Sequence, residues 1–98
     1  MDLGLSGKKA VITGATRGIG RAIANLLADE GVSLAICSRD QDSVTQAVKE
    51  LSAKGVKVTG AAIDVADKES YQAWIASAGK ELGGIDIFVP NVSAGGGS

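Results

Sequence analysis

The stretch Lys8-Lys9-Ala10-Val11-Ile12-Thr13-Gly14-Ala15-Thr16-Arg17-Gly18-Ile19-Gly20 decides the fold. Its first half reads as a short strand, because Ala10-Val11-Ile12 is the unbroken apolar run that a parallel strand buried on both sides requires. Its second half is a turn with glycine at 14, 18 and 20, after which Ile19, Ala22, Ile23, Leu26 and Leu27 recur at helical spacing. That face predicts a helix of about three turns, ending near Gly31, a residue that tolerates a left-handed cap. A glycine turn between a strand and a helix is suited to an anion. Backbone amides and the helix dipole can hold a pyrophosphate there without a charged side chain. Gly14 serves the sharp turn, Gly18 the close approach of a ligand to the backbone, and Gly20 the packing of helix on sheet. The spacing is not that of a triphosphatase P-loop, since Ile19 stands where its second glycine would be and no Gly-Lys-Ser/Thr follows.

Further along, Val32 to Cys37 is a second apolar strand, and Val44, Ala47, Val48 and Leu51 form a second helical face that stops before Gly55. Asp40 and Asp42 are both candidates to cap its start. Val56 to Ile63 reads as a third strand, Asp67 as the next N-cap, and Tyr71, Trp74, Ile75, Ala78 and Leu82 as the inward face of a third helix. Gly83-Gly84 breaks that helix. Ile85 to Val89 is the fourth strand, with Pro90 at its end, where a missing ladder donor costs little. Residues 1–93 are thus one domain, and the Gly/Ser-rich residues 94–98 read as a flexible tail. The alternation predicts an α/β fold: a parallel sheet with right-handed crossovers, strand order 3-2-1-4, two helices on one face and the third on the other.

Composition removes several classes of function. The chain has 98 residues, 45% hydrophobic, with a formal net charge of −1, which describes a foldable domain with no basic stripe for nucleic acid. It has no histidine and one cysteine, so the commonest general base and a thiolate metal site are both missing. Cys37 lies in an apolar run and is expected to be buried and unreactive. No apolar run approaches the roughly 20 residues of a membrane span, and the first six residues lack the basic start of a signal peptide. The expected location is the cytoplasm.

Taken together, Thr-Gly-x-x-x-Gly-x-Gly at 13–20, Asp64-Val65 after strand three and Asn91 after strand four resemble the short-chain dehydrogenase/reductase family. The resemblance spans nearly the whole chain and implies an incomplete Rossmann-like, doubly wound fold. It places Gly14, Thr16, Arg17, Gly18, Ile19 and Gly20 at the cofactor phosphates, Asp64 and Val65 beside the adenine, and Asn91 and Val92 beside the adenosine ribose. Two of these have a second role open to them. Asp64 either accepts from the adenine amino group or caps the turn before the third helix. Asn91 is either a ribose neighbour or a strand-end amide that satisfies local backbone. The family's usual Asn-Asn-Ala-Gly reads Pro90-Asn91-Val92-Ser93 here, so its final glycine is a serine.

The residue that closes strand two faces the adenosine ribose, where a carboxylate would accept from the 2′-hydroxyl of NAD. This chain has Ser38, followed by Arg39. A serine removes the repulsive charge, and an arginine supplies the forked cation suited to a 2′-phosphate, with Arg17 able to assist. The expected cofactor is therefore NADP(H) in preference to NAD(H), with Arg39 as a solvated loop cation the other reading. Asp40, next to Arg39, argues the other way. The family's proton donor is a tyrosine followed four residues later by a lysine. Tyr71 is the only tyrosine, position 75 is isoleucine, and an aromatic on an apolar helical face belongs to a core. No catalytic residue is therefore assigned, and the 98-residue chain is expected to be inactive alone.

Three functions fit this pattern. One is the cofactor-binding amino-terminal portion of an oxidoreductase acting on a carbonyl or alcohol. The others are a stand-alone nucleotide-binding or sensing module and an interaction domain whose glycine turn is vestigial. Strand four is expected to leave an open edge, and the sheet face carrying only the third helix to expose apolar surface, which points to a homo-oligomer.

Overall fold

The computed structural model describes residues 4–91, along which strand and helix alternate as the sequence predicts: β1 (Lys9–Thr13), α1 (Gly18–Asp29), β2 (Ser33–Ser38), α2 (Gln41–Ser52), β3 (Val58–Ala62), α3 (Lys68–Leu82) and β4 (Ile87–Pro90). Val92 and the stretch 94–98 read as a tail lie outside the described residues. The four strands form one parallel sheet in the order β3-β2-β1-β4. β1 and β2 are central and buried on both faces, which is why their sequences are continuous apolar runs and not alternations. Pro90 is the last residue of β4 in register, opposite Thr13.

Alternate residues of the central strands serve two cores. Ala10, Ile12, Leu34 and Ile36 pack under α1 and α2 with Ala24, Leu27, Ala47 and Leu51. Val11, Ala35 and Cys37 pack under α3 with Trp74, Ala78 and Leu82, while Tyr71 and Ile75 lie at the border of that cluster. The 3-2-1-4 order demands this division, because the crossover from β3 to β4 must return over the opposite face. β3 carries Gly60 in mid-strand, where a Cβ would come within 2.7 Å of the Val44 and Val48 methyls, so α2 sits close on the sheet there.

Helix ends follow local chemistry. Asp40, not Asp42, is the N-cap of α2, and its side chain accepts from the Ser43 amide. Asp67 caps α3 in the same way through Ser70. Gly31 follows α1 with φ +84°, and Gly83 closes α3 at φ +83°, both in the left-handed region open to glycine.

The inward face of α1 differs from the predicted one. Gly20, Ala24, Leu27 and Ala28 are buried and Ile23 partly so, whereas Ala22 is exposed and Ile19 and Leu26 keep 72% and 55% of their surface. A stripe weighted by large apolar residues points to Ile19 and Leu26. The helix instead turns its small residues to the sheet, because a Cβ at Gly20 would collide with the carbonyl oxygen of Gly14. Close approach at Gly20 thus sets the rotation of the whole element. No helix among the described residues is long and apolar enough to cross a membrane.

Candidate functional site

Where β1 ends, the chain turns at Gly14 and is tied at once to its neighbours. The Gly14 and Ala15 amides both donate to the carbonyl of Cys37 in β2, at 3.0 and 3.4 Å. The Thr16 hydroxyl donates to that of Ser38 at 3.3 Å. From the other side, the Asn91 side-chain amide donates to the Gly14 carbonyl at 3.3 Å. The turn is therefore held between the carboxyl ends of β2 and β4. This is the crevice where the sheet's connections diverge, the usual ligand position in an open α/β sheet.

The start of α1 is left open. Its N-cap, Arg17, is extended and makes no side-chain cap bond, and the first turn holds no acid. The other two helices begin with a capping aspartate and carry Asp42 or Glu69 in the first turn. Gly18 has φ +65°, and among the described residues nothing beyond its chain neighbours and its own helix's backbone comes within 4 Å of where its Cβ would be. A side chain there would fill space that the described residues do not use. An uncapped helix start beside such a space suits a phosphate, because the first-turn amides lack intrahelical acceptors and the dipole favours negative charge. Ile19 is largely exposed beside this opening, and Gly20 is buried against Gly14.

Other predicted residues fall around this centre with different degrees of commitment. Ser38 is half-buried at the end of β2, and Arg39 and Arg17 are exposed beyond it. The amide of Ile63 donates to the Ser38 carbonyl at 2.8 Å, which brings the end of β3 alongside. Asp64 then closes a turn: its Oδ1 accepts from the Ala66 amide at 2.9 Å, and its carbonyl accepts from Asp67. The turn-capping role left open for Asp64 is thus occupied by one carboxylate oxygen. Val65 is partly buried against the α3-side core. Asn91 satisfies the backbone of Gly14, the structural role that was open to it, and Val92 lies outside the described residues.

Residues that a sequence reading passes over also build the site. Cys37 anchors the turn through its carbonyl, a contact with no side-chain signature, visible only once Thr13 and Cys37 are known to be in register. Its thiol is fully buried, and burial pushes its pKa from the ordinary 9.0 up to about 11. Thr13 is fully buried and its hydroxyl has no hydrogen-bond partner among the described residues. The pKa of the neighbouring Tyr71 is raised, chiefly by burial. The Tyr71 ring stacks with Trp74 at 6.4 Å between centroids, in keeping with a packing role on α3.

Comparison with known proteins agrees with this geometry. The family model for short chain dehydrogenases matches residues 8–98. Human dehydrogenase/reductase SDR family member 4 is 43% identical over 89 residues, covering 91% of this chain and 32% of the relative. The L-sorbose reductase of Gluconobacter frateurii, solved with NADPH and L-sorbose, superposes with a TM-score of 0.90 at 42% identity, over 100% of this chain and 38% of that one. A short chain dehydrogenase of Mycobacterium paratuberculosis bound to NAD gives a TM-score of 0.85 at 27% identity, over 91% of this chain and 38% of that one. The chain thus spans about a third of the length of these relatives. Its glycine turn, Rossmann-like sheet order and sequence place it in the short-chain dehydrogenase/reductase family, of which it carries an amino-terminal portion.

Proposed function

We propose that this chain is the NADP(H)-binding amino-terminal portion of an oxidoreductase that reduces a carbonyl or oxidises an alcohol. The observation that carries the reading is the uncapped start of α1 beside the open space at Gly18, with Ser38 and two arginines at the ribose end. Gly14, Thr16, Arg17, Gly18 and Ile19 would hold the phosphates, and Ser38 and Arg39 the 2′-phosphate. Asp64 and Val65 would border the adenine, and Asn91 and Val92 the ribose. The bound nicotinamide would supply or accept the hydride.

The preference for NADP(H) rests on charge. Ser38 places a neutral hydroxyl where an NAD-selective site would carry an acid, while Asp40, next to Arg39, caps α2 and keeps its charge. The NADPH-bound L-sorbose reductase supports this choice, while the NAD-bound relative shows that the fold accommodates either cofactor. For proton transfer the chain offers one tyrosine, followed at the fourth position by Ile75 and packed on Trp74, so we propose binding without carbonyl reduction. Calorimetric titration with NADPH and NADH tests the reading. Micromolar NADPH binding with weaker NADH binding is expected, and Arg39→Ala should cost about tenfold in NADPH affinity with little effect on NADH. Equal affinities for the two cofactors, or no binding of either, would refute it.

We further propose that the 98-residue chain self-associates along β4. Among the described residues nothing pairs with the outer edge of this strand. Phe88 shares register with Val11 and so lies on the face that carries only α3, where it keeps 46% of its surface. An unpaired edge beside an uncovered aromatic favours a second copy.

A further inference from the structure

The pairing pattern of β1 fixes which groups of β4 face the open edge. The Ser33 amide donates to the Lys8 carbonyl and the Gly14 amide to the Cys37 carbonyl, so the even-numbered residues along β1 serve β2, and Lys9, Val11 and Thr13 serve β4. In a parallel pair, one residue of each registered couple directs its backbone at the other strand and its opposite number directs its own away. Phe88, in register with Val11, and Pro90, in register with Thr13, therefore turn their backbones outward. Pro90 has no N–H, which leaves the Phe88 amide as the outward donor of β4. Asp86, just ahead of the strand, is committed inward: its amide donates to the Lys9 carbonyl at 2.8 Å, and its Oδ2 accepts from the Lys9 amide at 2.9 Å. The edge Ile87-Phe88-Val89 thus carries none of the charges that commonly protect an open strand. At its far end, Asn91 turns its side chain to the Gly14 carbonyl and does not continue the strand.

We propose that a second copy of this chain pairs antiparallel with β4 about a two-fold axis at Phe88. The inference rests on the self-association reading given above and adds its register. In such a symmetric pair, outward residues meet outward residues, so an axis that uses the Phe88 amide falls at Ile87, Phe88 or Val89. An axis at Phe88 lets the two Phe88 residues exchange both backbone bonds, with their Cα atoms about 5.5 Å apart. Their rings, each half-exposed in the single chain, then lie side by side on the face that carries α3 and cover one another as an aromatic cross-strand pair. On the α1 face, Ile87 meets Val89 of the second copy. Pro90, which has no donor, meets Asp86, whose donor is already used. An axis at Ile87 would set Phe88 opposite Asp86 instead. One at Val89 would set Phe88 opposite Pro90 and Ile87 opposite Asn91, which has left the strand.

The test is disulfide mapping of the full chain in a Cys37→Ala background, with light scattering of the wild type beside it. Across an axis at Phe88, the Ile87→Cys and Val89→Cys positions face each other as a non-hydrogen-bonded pair with Cα atoms about 4.5 Å apart, within reach of a disulfide. An equal mixture of the two single variants, oxidised with glutathione disulfide at high concentration, should give several-fold more covalent dimer than either variant alone. The variant carrying both cysteines should form a dimer closed by two bridges, which guards against misfolding of one single variant. As much covalent dimer from Val89→Cys alone, or from Ile87→Cys alone, would move the axis to that residue and overturn the inference while self-association stands. A wild type that is dimeric by light scattering, with no bridge in the mixture or in the double variant, would do the same. A wild type that is monomeric at every concentration, the outcome expected if β4 is kept for a strand of a different chain, overturns the self-association reading and this inference with it.

Discussion

Gly18 and Gly20 serve one turn in opposite ways. Gly20 has no room for a side chain, since a Cβ would strike the Gly14 carbonyl oxygen and crowd the Asn91 amide, while Gly18 has ample room but a left-handed backbone. Gly20→Ala must therefore move the turn, at about 1–3 kcal/mol as for other overpacked sites. Gly18→Ala should cost about 1–2 kcal/mol of backbone strain, yet abolish NADPH binding at temperatures where the chain remains folded. Urea unfolding and cofactor titration on both variants check this split. Cys37 gives a pH signature at the same scale. Its folded pKa of about 11 lies above the ordinary 9.0, so between these values the unfolded chain loses a proton that the folded chain keeps. Stability should then fall as pH rises through this window. The difference in unfolding free energy between wild type and Cys37→Ala should be flat below about pH 8 and decline above pH 9. A difference that stays constant to pH 11 would contradict the burial of the thiol.

Among the elements, α1 separates local pattern from tertiary contact. Apolar spacing correctly identifies a helix from the glycine turn to Gly31, and it fails on the face, because periodicity weighs Ile19 and Leu26 above Gly20, Ala24 and Ala28. The same method succeeds for α2, where Val44, Ala47 and Leu51 are both the apolar and the buried residues. The difference lies in the distance of approach. A helix held off the sheet by large side chains buries them, whereas one drawn in by a glycine contact buries its small residues and leaves large ones outside. Adjacent leucines test this. Leu27→Ala should destabilise by about 2–5 kcal/mol, as for a buried leucine, and Leu26→Ala should stay within about 0.5 kcal/mol. Equal losses on urea denaturation would mean that α1 is rotated from the position described.

Across the molecule, among the described residues, the sheet has one face covered by two helices and one by α3 alone, and Phe88 stands on the second. If a second copy covers it, light scattering of the 98-residue chain at high concentration should give a mass above that of a monomer. Phe88→Glu should return it to monomer, since a charge on an apolar contact opposes association. A wild type that is monomeric at every concentration would exclude this surface as a self-association site.

The sequence by itself determined the alternation of strands and helices, the sheet order that follows from right-handed crossovers, the spacing of the glycine turn and the capping of α3 by Asp67. These are local or topological properties, written in periods of a few residues and in hydrogen bonds across three or four positions. Only the tertiary structure decided which side of α1 meets the sheet, that Asn91 reaches back 77 residues to the Gly14 carbonyl, that Thr16 meets Ser38, and that Asp40 spends its carboxylate on Ser43. The first three depend on strand register and on how closely two elements approach. Of the two candidate caps, Asp40 and Asp42, the backbone at the start of α2 selects Asp40, whose Oδ2 accepts from both the Ser43 amide and the Ser43 hydroxyl.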